Sequence, residues 1–215
     1  MADWLTYSLS DFIPFAPSTY ARLFQTYHAE IWPLWAVGLL VGLVTVWLLA
    51  GGRARWAAAL LGICWLWTGW AFLIERYQTL NWAGLQMGLF YMAAGVVIAA
   101  AGLGAVGRKT RAGAALALLA TLGHPLIVGA DGLPWDGGGL VGTAPDPTAL
   151  ATLGLALATA GWRRFAIALP AALWCALGVL AAVGMERPAL GGAAAAGIIL
   201  FAVFSVWPAG RRGLG

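Results

Sequence analysis

His124 is the residue whose type and position point most directly to chemistry. It lies about two thirds of the way along an apolar run, 113–130. An ionisable group at that depth is a functional hypothesis by default. Pro125 follows it, and a proline frees the backbone carbonyl one turn earlier, here that of Thr121. Asp131 lies seven residues on, on the same helix face and about 10 Å further along. An imidazole, a freed carbonyl and a carboxylate would then line one strip. Three roles stay open: a neutral histidine bonded to a neighbouring helix, a proton or cation site, or a catalytic base. No nucleophile–base pair is visible beside it, so the enzymatic role is the least supported.

Other groups could join this strip. Glu75 and Arg76 end one apolar run with Asn81 in the next turn, and Glu186 and Arg187 end another. Each is either a local exposed pair or part of a shared outer vestibule. Residues 131–147 form one long Gly- and Pro-rich connection with acidic ends, Asp131 and Asp146, and a single large aromatic, Trp135. Loops of that length are more often functional than accidental, and Trp135 is expected to fold back onto the bundle. The expected ligand-binding set is His124, Asp131, Asp146, Glu75, Trp70, Trp135 and Thr121. His28, Glu30 and Asp136 add weak metal-ligand candidates, with no pair at the tight spacing of a metal motif. Trp65, Trp67, Trp70 and Trp174 fall within apolar runs. Their indole N–H groups need partners in a dry interior, which fits either bulky packing or an aromatic-lined pocket. No cofactor is named by the sequence. A retinal Schiff base needs a lysine in the last helix, and the one lysine is Lys109. GxGxxG, P-loop, HExxH, GxSxG and CxxCH patterns are absent.

The elements that must position these residues are membrane helices. Hydrophobic residues are 62% of the chain and charged residues 9%, against about 25% charged in a soluble domain. Apolar runs fall at roughly 32–50, 56–74, 83–107, 113–130, 147–161, 165–185 and 190–208. Arg53, Arg55, Arg108, Lys109, Arg111, Arg163, Arg164, Arg211 and Arg212 sort to one side of them; all eight acidic residues sort to the other. Basic short loops stay cytoplasmic. The expected architecture is an all-α membrane protein of seven transmembrane helices, N-terminus outside and C-terminus cytoplasmic. Residues 1–31 form an outer segment and 32–210 the bundle. Within the outer segment, Tyr20, Leu23, Phe24 and Tyr27 mark one face of a short amphipathic helix, either interfacial or a lid. Trp32, Trp35 and Trp82 mark outer ends and Trp47, Trp56, Trp162 and Trp207 inner ends. Gly38–Gly42 and Gly84–Gly88 are GxxxG pairs, and Gly192 to Gly197 makes a smooth face, suited to packing or dimerisation. Cys64 and Cys175 lie mid-run and read as free apolar cysteines. No cleavable signal peptide is visible. The net charge of +4 lies in clusters at helix ends, which argues against nucleic acid. The Arg-over-Lys bias with heavy Ala and Gly use suits a GC-rich bacterial genome, hence a bacterial inner membrane.

The order of several blocks resembles the domain-of-unknown-function 6064 family of small bacterial integral membrane proteins. These are FIPFAPSTYARLFQTYHAEIWP at the start, WLWTGWAF with Asn81 beyond it, TLGHPLIVG, GTAPDPTALATLGLAL and LPAALWCALG. The family pattern carries a His where this chain has Leu73 or a near neighbour, and usually a Cys between two prolines where this chain has Asp146. If those positions form a metal or redox site in relatives, this chain has altered it. The resemblance implies topology and carries no activity.

The function expected is an outward-facing polar site that binds or transports a small solute or cation. The alternative is a structural or accessory subunit of a larger membrane complex. Membrane lipids are expected partners in both cases, and other subunits or further copies of the chain in the second.

Overall fold

The computed structural model describes residues 16–105, 107, 110–132 and 138–206. Their regular structure is helical, with no strand among the described residues. Helix α1 spans Pro17–Glu30, α2 Leu34–Ala50, α3 Ala54–Trp67, α4 Gly84–Leu103, α5 Arg111–Leu118, α6 His124–Ala130, α7 Pro145–Leu157, α8 Trp162–Gly184 and α9 Pro188–Val206. Two π-helical stretches interrupt this pattern: Thr68–Ile74 extends α3, and Leu119–Gly123 joins α5 to α6. Such widened turns occur often at functional sites.

Five continuous helices are long and apolar enough to cross a membrane: Ala54–Thr79, Gly84–Leu103, Arg111–Ala130, Trp162–Gly184 and Pro188–Val206. The other two expected runs take a different form. The apolar part of α2, Ala36–Ala50, is shorter. Helix α7 has 13 residues, about 20 Å at 1.5 Å per residue, against about 30 Å of hydrocarbon. It begins at Pro145, inside the stretch that glycine and proline content marked as irregular. Every residue of α7 except Asp146 is buried, and so are residues 138–144 before it. An irregular segment and a short helix thus form the molecule's central strand of chain, packed between α3, α5, α8 and α9.

Small residues set the helix distances. On α4, Gly88, Gly95 and Gly102 recur every seven residues and face Gly69, Gly62 and Ala58 of α3 and its extension. A Cβ at Gly95 would lie 2.9 Å from the Gly62 carbonyl oxygen, and one at Gly88 2.8 Å from that of Gly69. Gly113 of α5 and Gly154 of α7 face each other as closely, each with 2.5 Å between an added Cβ and the other's carbonyl oxygen. The GxxxG pairs are used inside the bundle: Gly38 lies against Leu140 and Thr143, and Gly42 against Thr121. Over this frame, Trp65 stacks on Tyr91 at 3.7 Å, and Tyr91 meets Trp174 edge-on at 4.9 Å. Cys64 and Cys175 are free and buried.

The two ends of the bundle differ. At one, Gly107 approaches Gly52, Gly104 approaches Arg163, and Arg53, Arg55 and Arg163 lie over the exposed rings of Trp47, Trp56 and Trp162. At the other, α1 packs its Phe24 and Tyr27 against Phe72, and Arg76 pairs with Glu30 at 2.7 Å. Helix α1 therefore covers the end of the bundle. Helix α9 is peripheral, buried only at Gly191 and Gly197.

Candidate functional site

The buried segment 138–145 carries backbone groups that no helix satisfies, and buried polar groups rarely go unpaired. Side chains from four helices supply the bonds. Thr68 donates to the Gly142 carbonyl at 3.1 Å, and the Gly142 N–H donates to Thr148 Oγ1 at 2.8 Å. Tyr91 donates to the Pro145 carbonyl at 2.7 Å. Thr143 accepts from the Leu140 N–H at 3.1 Å. Irregular backbone at membrane depth is tolerated where protein groups bond it in this way. Gly142, at φ 86, sits in the left-handed region that glycine adopts without strain.

His124 belongs to the same network. The residue is 5% exposed, and its Nδ1 lies 3.2 Å from the Gly139 carbonyl oxygen. A carbonyl can only accept, so Nδ1 carries the proton in that bond. The neutral ring then presents Nε2 as a lone pair. Nε2 is buried and has no hydrogen-bond partner among the described residues.

The histidine lines a partly enclosed cavity of about 120 Å³, bounded by α1, the π-helical end of α3, α4, α6, the start of α7, and α8 and α9. Asp146 lines it too, from the first turn of α7, where a carboxylate also complements the helix dipole. Trp174 donates its indole N–H to Asp146 Oδ1 at 2.8 Å. Tyr20 and Phe24 of α1 form part of the wall, opposite Cys175, Met87, Leu150 and Leu177. Burial first, and then the charge of Asp146, push the Tyr20 phenol well above its ordinary range. Arg187 lines the cavity as well. The walls are mostly apolar, with a few converging polar groups, as in small-molecule sites generally.

Of the residues expected at the site, the structure brings His124 and Asp146 together in one cavity. Thr121 packs against Gly42 and donates to the Ala117 carbonyl at 2.7 Å; it does not line the cavity. Asp131 binds the start of α9, accepting from the Ala189 and Leu190 N–H groups at 3.0 Å each. Glu75 is exposed. Trp70 is 49% exposed and meets Trp67 edge-on. Trp135 and Asp136 lie outside the described residues. Of the metal candidates, His28 is buried beside Phe24 and Tyr27, and Glu30 pairs with Arg76. No group of three or more metal-ligating side chains occurs among the described residues. Trp65 and Trp174 do find partners, Trp65 through Thr152 Oγ1 at 2.9 Å. Leu73 and Asp146, where the chain departs from the pattern it resembles, both line the cavity.

The model of a family of unknown function, DUF6064, matches residues 18–209. The chain belongs to this family. No curated protein and no solved structure matches it. The match takes in α1 and all the helices that wall the cavity.

Sequence reasoning missed Thr68, Thr143, Thr148, Thr152 and Tyr91, and it undervalued Arg187. Thr148 and Thr152 left a trace, spaced by one helical turn in an apolar run. Thr68 and Tyr91 left none, because one polar residue in a long apolar helix reads equally well as lipid-facing.

Proposed function

We propose that this is a seven-span protein of the bacterial inner membrane, N-terminus outside, whose outward-facing cavity binds a small solute. The charge sorting supports that orientation. Seven spans follow if α2 crosses as a short helix and segment 138–144 completes the crossing of α7. One observation carries the solute reading: a buried histidine whose Nε2 has no partner among the described residues lines the same cavity as the Asp146 carboxylate. Two such groups are too few for a metal cage, which favours an organic solute over a cation. Transport would require α1 to lift from the cavity mouth.

The test is native mass spectrometry of the gently extracted protein beside His124→Ala and Asp146→Asn. The wild type should carry a small bound mass that both variants lose. His124→Ala leaves the buried Gly139 carbonyl unpaired, a cost of about 1–3 kcal/mol, so its melting temperature should fall and the bound mass is read on the folded protein. A bare chain in all three spectra would remove the reading. The peripheral α9 favours a second one, a subunit of a membrane complex, and a larger protein assembly in the same spectra would support that instead.

A further inference from the structure

Arg187 carries a charge that no described residue neutralises. The residue is 8% exposed, and its Nη1 is buried without a hydrogen-bond partner among the described residues. The ion pair among the described residues is Arg76–Glu30. Glu186, next to Arg187, is exposed, and Asp146 shares the cavity without pairing to it. An arginine cannot shed its proton, and buried charges are otherwise paired.

The backbone is bent to place this side chain inward. Glu186 adopts φ 55, a left-handed conformation uncommon for a residue with a side chain. The reverse turn it makes is closed by the Arg187 N–H donating to the Ala182 carbonyl at 2.8 Å and the Glu186 N–H to that of Val183 at 3.2 Å. In such a helix ending the residue after the left-handed one folds back over the last turn, where an apolar contact is common. Here it is arginine, beside Ala181, Ala182 and Met185 on the cavity wall.

We propose that the solute is a small monocarboxylic acid with an apolar body, its carboxylate held on the Arg187 guanidinium. The proposal rests on the solute-binding reading. The planar fork of a guanidinium matches a carboxylate through two parallel bonds. Asp146 in the same cavity repels a second negative charge, which argues for a monoanion. Asp146 and His124 Nε2 are both acceptors, so the solute should carry a donor, an ammonium or a hydroxyl, besides its carboxylate. Leu73, Met87, Val128 and Leu150 take the apolar body.

Three probes of one shape test this: leucine, 4-methylpentanoate and isoamylamine, added to the detergent-purified full chain while its melting is followed. Leucine should raise the melting temperature most, 4-methylpentanoate less, and isoamylamine not at all. Octanoate, whose chain could enter from the lipid side, tests a membrane source of the same carboxylate, and a response to it alone would assign the solute to the bilayer. Arg187→Gln should abolish every carboxylate response. It should also leave the ligand-free protein at least as stable, because an unpaired buried charge has been removed. Arg187→Lys, which keeps the charge and loses the fork, should weaken carboxylate binding by about tenfold and provides the test if the glutamine variant fails to fold. Protection by isoamylamine that survives Arg187→Gln would remove the anion anchor and leave a solute site. No shift with any carboxylate would do the same if the native spectrum still shows a bound mass; with a bare spectrum, both ideas fall. A less stable Arg187→Gln protein that keeps its carboxylate responses would make Arg187 structural.

Discussion

Thr152 tests how tightly the buried polar groups depend on one another. Its hydroxyl accepts from Trp65 and donates to the Thr148 carbonyl at 2.8 Å. Thr152→Val keeps the shape but leaves a buried indole N–H without a partner, an expected cost of about 1–3 kcal/mol. Denaturation midpoints would show it. Trp65→Phe combined with Thr152→Val should lose less than the two single changes summed. A full additive loss would mean that the bond contributes nothing. His124 was legible in the sequence because an ionisable group in an apolar run has few readings. Asp131 misled for the same reason: helix register placed it on the correct face, but α9, distant in sequence, takes both its oxygens. Arg187 was hidden by Glu186, since adjacent opposite charges suggest a local pair until the backbone turn between them is seen.

Helix spacing was written in the glycines, but which glycines mattered was not. The heptad Gly88, Gly95, Gly102 closes the α3–α4 seam, whereas Gly192 has nothing near it. Gly154→Ala would set a Cβ against the Gly113 carbonyl and should destabilise by about 1–3 kcal/mol; Gly192→Ala should be neutral. Equal melting of the two variants would refute the assignment of these contacts. Helix α1 offers a test by pH. The Tyr27 phenol accepts from Trp67 at 3.2 Å and is fully buried, and burial above all raises its pKa from 10.0 to about 12. The phenol is neutral when protonated. Its contribution to stability is thus intact below pH 10 and is lost as pH rises through about 12. Melting temperature should fall across that window, and Tyr27→Phe should start lower but flatten the slope. An unchanged slope would mean that α1 is not docked through Tyr27. The sequence pattern of α1 left lid and interface equally open, because an apolar stripe cannot say whether lipid or Phe72 will cover it.

At the scale of the molecule, topology decides whether the cavity faces the substrate side at all. The apolar runs and the loop charges were legible because membrane thickness and the cytoplasmic retention of arginine act on sequence directly. The buried segment 138–157 was not: its helix has 13 residues, and the threonines and Tyr91 that satisfy the irregular part before it lie far away in sequence or read as ordinary apolar-run residues. If α7 and its irregular lead together make one crossing, the turn after α7 and the turn after α3 lie on opposite faces of the membrane. Thr79 and Ala160 are exposed positions in those turns. Single cysteines at Thr79 and Ala160, in a Cys64→Ala and Cys175→Ala background, should therefore react with an impermeant maleimide from opposite sides, Thr79→Cys from outside intact cells and Ala160→Cys only after lysis. Labelling of both from outside would mean that the chain does not cross between α3 and α8 as the charges require. The reverse pattern would turn the cavity toward the cytoplasm, and any solute it binds would then be one drawn from inside the cell.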